Sequence, residues 1–227
     1  MALIVRTAMA CIALMIAAPA STATPREILI DAAFHARTKE DALAQVGRAE
    51  AGATAALAKA PRDREAMMIR AMALGYRAKL IRNRGDAMAA REAFYALASA
   101  NPRDPEAQAA IGAWHLDSVA ALGGFLAGPL LGASKVDGVA AMDRAIALGG
   151  DRAMFSGLGA LLRLSVNPRD PRAGALAEAA AHGTTPEPLD AVMKDSAVSI
   201  LGYLKAGNAA ATQKRAKELL PFGRLRK

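Results

Sequence analysis

The chain has 227 residues, one cysteine, 4% aromatic residues and a formal net charge of +8. A single cysteine excludes an internal disulfide, and so few aromatic rings leave little on which nucleic-acid bases can stack. The basic balance invites an acidic partner or an anionic surface. Arginine nevertheless far outnumbers lysine amid abundant alanine and glycine, as codon bias in a GC-rich genome would produce.

Arg6 gives a minimal charged start, Thr7 to Ala18 an apolar run, and Pro19 with Ala18, Ala20, Ser21 and Ala23 a small-residue exit. That order predicts a secretory signal peptide over residues 1–23, cleaved near Ala20 or Ala23. The run is about a dozen residues, short of the ~20 that span a bilayer. Most of it follows Cys11, which argues against a lipoprotein acceptor. The mature domain, 24–227, is then cysteine-free and periplasmic or secreted, and export argues further against a nucleic-acid partner.

Apolar spacing is helical along the whole chain and nowhere alternates with period two, so the expected fold class is all-α. Thr24 caps and Pro25 opens a helix to about Ala36, and a second runs from about Lys39 to Ala58. After a break at Pro61-Arg62-Asp63, helices are expected near 64–83 and 86–99. Gly85 should end the first of these in a left-handed conformation, and Asp86 should cap the second. Ala90 lets two helices approach closely, Phe94 fills the groove between them, Leu97 and Ala98 continue the apolar face, and Pro102 closes the unit.

The break recurs as NPRDP at 101–105 and 167–171, about one and then two repeat lengths on. Pro105 and Pro171 are placed at early helix positions. A helix over 105–116 carries Ile111 and Gly112, and its partner over 137–148 carries Met142, Ala145 and Leu148. Further pairs are expected at 151–166 with 171–182 and, past the linker HGTTPEP at 182–188, at 189–205 with 208–220. Gly207-Asn208 repeats the turn chemistry of Gly85-Asp86. Five helix pairs result, and repetition on this scale marks a helical solenoid.

The set Gly85, Asp86, Ala90, Phe94 and Pro102 resembles the tetratricopeptide repeat (TPR) superfamily, with its 34-residue helix–turn–helix unit. With a leader, irregular units and an apolar insertion, the chain is similar to exported bacterial TPR-like proteins, among them the T component associated with TRAP transporters. The resemblance implies a superhelical array of degenerate hairpins whose concave groove holds an envelope protein or peptide. Lys79, Arg82 and Asn83 would line that groove as donors to a carboxylate. Arg70, Arg77 and Arg84, seven residues apart, would mark a polar stripe.

The insertion, 116–137, carries no charge from Ser118 to Ser134. Gly124, Gly128 and Gly132 would put a smooth strip on one helical face, although Pro129 interrupts a continuous helix. Three readings stand. The segment extends the core; or Phe125, Leu126, Leu130 and Leu131 wall a site for an apolar small molecule, with Trp114 and His115 beside it; or it is a membrane or oligomer contact. The second makes the protein a transporter-associated carrier or accessory subunit. The tail, 214–227, mixes Leu219, Leu220, Phe222 and Leu225 with basic residues. It caps the last repeat with a polar face or lies on an anionic membrane.

No catalytic pattern is legible. Ser156 in MFSGLG lacks the glycine two residues earlier that a nucleophile elbow requires, and Gly157 and Gly159 lack the third glycine of a dinucleotide loop. His35, His115 and His182 lie far apart with no acidic cluster nearby. The expectation is a non-enzymatic binding protein without cofactor or metal; a hydrolase assembled from distant loops is the remaining alternative.

Overall fold

A computed structural model describes residues 23–225. The expected leader, apart from Ala23, and residues 226–227 of the tail lie outside them. Eleven helices account for 78% of the structure. Among the described residues there is no strand, and one isolated bridge joins Arg152 to Thr184. The helices are α1 (Pro25–Phe34), α2 (Lys39–Lys59), α3 (Arg64–Ile81), α4 (Arg84–Ala100), α5 (Pro105–Leu122), α6 (Gly124–Leu131), α7 (Lys135–Leu148), α8 (Ala153–Val166), α9 (Ala173–His182), α10 (Pro188–Lys205) and α11 (Ala209–Leu219).

Caps explain most of these starts. Thr24 and Glu27 form a reciprocal capping box on α1, while Thr38, Asp63, Asp104, Ser134 and Asn208 each accept a hydrogen bond from the first turn of the helix that follows. Each side chain satisfies an amide that the helix itself leaves without a partner.

Helices α7 and α8 start two residues from the expected positions, at Lys135 and Ala153, and at two further starts the local chemistry itself differs from expectation. Between α3 and α4 the left-handed residue is Arg82, with φ 56°, and the cap is Asn83, whose side chain accepts from the Asp86 amide. Gly85 and Asp86 therefore lie inside the first turn of α4. Asp86 is drawn there by Arg77, whose Nε donates to it at 2.7 Å. At the second NPRDP, Pro171 precedes the helix: Asp170 is engaged by the buried Arg163 guanidinium at 3.3 Å, and α9 starts only at Ala173. In the first NPRDP the same aspartate, Asp104, caps α5 directly.

Helix α1 packs with α2, α2 and α4 with α3, α5 with α7 and α8 with α9, while α10 packs chiefly on α8 and α9 and α11 on α8, both less on each other. Small residues close these and neighbouring seams. A Cβ added at Gly112 would sit 2.9 Å from the Met142 nitrogen, one at Gly157 would sit 2.9 Å from Met193 Cβ, and Gly75 faces Ala90 at 3.6 Å. Ala90, Phe94, Leu97 and Ala98 are buried, and Pro102 is an exposed turn residue.

The first helices of successive pairs also touch one another: α1 with α3, α3 with α5, α5 with α8 and α8 with α10. Helix α10 then returns to α1. Ile30 of α1 accordingly shares a core with Ile200, Leu219 and Leu220 near the C-terminus. Charge follows the same circuit at the N-terminal ends of these helices. Arg26 pairs with Glu65 and Glu106, Arg152 approaches Glu106 at 3.8 Å, and Arg152 pairs with Asp190 at 2.9 Å.

Candidate functional site

The face of α3 expected to receive a partner is occupied from within the chain. Lys79 pairs with Asp117 at 2.7 Å, Asn83 is spent as the cap of α4, and exposed Arg82 takes the left-handed turn. The three do not converge as carboxylate donors. Arg77 is engaged by Glu50 and Asp86, and Arg84 donates to the Leu130 carbonyl at 2.8 Å, so the arginine stripe is divided among separate partners.

The tail returns to α1 and α3. Leu219 and Leu220 are buried, the Phe222 amide donates to the Ala33 carbonyl at 2.7 Å, and the Phe222 ring meets Tyr76 edge-on at 5.0 Å between centroids. Phe222 adopts φ 62°, a conformation that costs a bulky residue energy. Burial raises the Tyr76 hydroxyl well above its ordinary pKa and keeps it neutral. Leu219, Leu220 and Phe222 of the tail thus pack against the body.

The insertion lengthens α5 by six residues beyond the expected end and adds α6. The glycine strip does not pack as expected. Gly124 meets nothing within 4 Å, and Gly132 lies past the helix at φ 68°. Ala127 and Leu131 hold α6 to the body. Phe125 is 90% exposed, Leu126 48% and Leu130 46%. These three point outward and do not wall an enclosed cavity. Beside them lies a half-open cleft of about 310 Å³, lined by Val119, Gly123, Gly124, Lys135, Val166 and Lys217 among others.

Trp114 and His115 form the root of the insertion. Trp114 Nε1 donates to the Ala87 carbonyl at 2.9 Å. His115, 1% exposed, accepts the Ser134 amide on Nδ1 at 3.0 Å. That leaves the proton on Nε2, which faces the Tyr95 hydroxyl at 2.9 Å. The neutral ring therefore ties α4 and α5 to the far end of the insertion. Arg91 packs over Tyr95 at 5.5 Å and Trp114 at 5.6 Å. Sequence reading passed over Arg91 and Tyr95; their spacing of one helical turn was the available signal.

Burial, reinforced by Arg91 and opposed by Asp137, lowers the His115 pKa from 6.5. As pH drops below 6.5 the unfolded chain takes up a proton that the native ring refuses, so native stability falls. His115→Gln should flatten this component of the stability–pH curve between neutral and mildly acid pH. Urea titrations at a series of pH values measure it, and curves of equal slope for both proteins would refute it.

Among the described residues no group of three or more His, Cys, Asp or Glu is placed to hold a metal ion, and no helix is long and apolar enough to cross a membrane. No family model matches the chain, nor does any curated protein or solved structure.

Proposed function

We propose that the chain is an exported, non-enzymatic scaffold of degenerate TPR-like hairpins, which presents the first helices of its pairs to an envelope protein or peptide. One observation carries this reading. The face formed by α1 and α3 already holds a short polypeptide, the chain's own 219–223 segment, through a backbone hydrogen bond at Ala33 and an aromatic contact at Tyr76. A surface that binds one aromatic-bearing segment can bind another, with the tail as its resident competitor. Periplasmic or secreted placement belongs to the same proposal and rests on the leader-like order of residues 1–23.

The carrier reading is favoured by a different feature, the 310 Å³ cleft next to α6. Native mass spectrometry of protein purified from its own host separates the two. Phe222→Ala weakens the resident contact, and losing a partly buried phenylalanine ring raises the tail-released population about tenfold. A co-purifying polypeptide with several-fold higher occupancy in this variant is expected. Retained lipid or metabolite would favour the carrier, and polypeptide in neither protein would refute the scaffold.

A further inference from the structure

Helix α6 is apolar on every side, and such a helix is normally buried or in contact with lipid. Only one side is covered here. Phe125, Leu126, Pro129 and Leu130 recur at the spacing of one face of α6 and are exposed, as is Leu122 at the end of α5 across the non-helical Gly123, while Ala127 and Leu131 face the protein.

Cations bracket this stripe. At its C-terminal end Arg84 holds the Leu130 carbonyl and Arg91 packs beneath Gly132. At its N-terminal end Lys135 and Lys217 line the cleft with Gly123 and Gly124. None of these four side chains forms an ion pair among the described residues. No carboxylate occurs from Ser118 to Lys135; in sequence the run is flanked by Asp117, paired with Lys79, and Asp137, in the first turn of α7.

We infer that α6 is a membrane-interface anchor: Phe125, Leu126 and Leu130 enter the acyl boundary of an anionic bilayer while the exposed Lys135, Lys217 and Arg84 meet its headgroups. An apolar stripe with a basic collar is the pattern of interfacial helices. A protein partner fits less well. Eight residues make a helix about 12 Å long, far too short for the ~800 Å² per side that a stable protein interface buries. Lipid demands no such area and no shape match.

The test uses the chain from Thr24, which contains every helix and all three cores of the described residues and omits the leader-like apolar run. It is sedimented with vesicles of phosphatidylcholine alone and of phosphatidylcholine mixed equally with phosphatidylglycerol. Binding to the mixed vesicles alone is expected. Phe125→Ser should weaken it about tenfold, and K135E/K217E about 25-fold or more, at about fivefold per lost basic charge. Because Phe125 is 90% exposed, the melting temperature should not change. That chain has no cysteine, so Phe125→Cys takes a single environment-sensitive dye, whose emission should shift to the blue on the mixed vesicles. Equal binding to both vesicles, no binding to either, unchanged binding by Phe125→Ser, or a blue shift without vesicles (self-association) would each overturn the proposal.

Discussion

Asp190→Ala is expected to destabilise the protein by about 3–5 kcal/mol, the cost of breaking a buried ion pair from one side. Asp190 is fully buried and accepts from Arg152 Nη2 at 2.9 Å, from the Met154 amide at 3.0 Å and from the Glu187 amide at 3.1 Å. One carboxylate therefore joins the start of α8 to that of α10 and closes the capping box of α10. Alanine leaves two amides without acceptors and Arg152 without its nearest anion. Glu106, already 3.8 Å away, recovers part of the charge interaction but neither amide. At about 2–4 °C per kcal/mol for a chain of this size, the melting temperature should fall by roughly 10 °C. Asp190→Asn keeps an oxygen acceptor and should lose markedly less. A calorimetric scan in which Asp190→Ala melts within a degree or two of the wild type would show that this carboxylate does not organise the junction.

All ten paired helices were legible in the sequence because the chain marks its breaks with strong local chemistry. Asp63 and Asp104, at the breaks the sequence marks, cap the helices that follow them, and Pro25, Pro105 and Pro188 stand where the missing amide hydrogen is harmless. At two turns the expectation failed because an arginine on the preceding helix claimed the residue. Asp170 belongs to Arg163 and Asp86 to Arg77, and each ion pair shifts a helix boundary by two or three residues. No local pattern encodes such partners.

The candidate site was legible to a lesser depth. The uncharged run from Ser118 to Ser134 announced an unusual surface, but spacing alone did not say which side of α6 would be covered. That depends on Ala127 and Leu131 meeting the α3–α5 core. Repeat register places Lys79, Arg82 and Asn83 toward a groove, whereas the return of α10 and the tail to α1 is a long-range event that register does not encode. Only packing over the whole chain could place Phe222 against Tyr76.

Gly138→Leu is the second substitution expected to have a large effect, and it connects the core to the exposed helix. Helices α5 and α7 cross where a Cβ at Gly138 would lie 2.8 Å from His115 Cβ and 2.9 Å from Leu116 Cγ. On the facing side Gly112 allows the approach to the Met142 nitrogen. Neither partner can give way cheaply: Leu116 is fully buried, and the His115 ring is held by Tyr95 and the Ser134 amide. Forcing a leucine into this seam should cost about 3 kcal/mol, the upper end for overpacking, read as a lower urea midpoint. It should also push His115 off the Ser134 amide, the contact that fixes the end of the insertion. Binding to phosphatidylglycerol-containing vesicles should therefore weaken under native conditions although Gly138 is itself buried. Gly124→Ala is the matched control: its new methyl meets nothing within 4 Å, so both the urea midpoint and vesicle binding should hold or rise slightly. If Gly138→Leu lowered stability but left vesicle binding at the wild-type level, the α5–α7 seam would support the fold without controlling how α6 is presented.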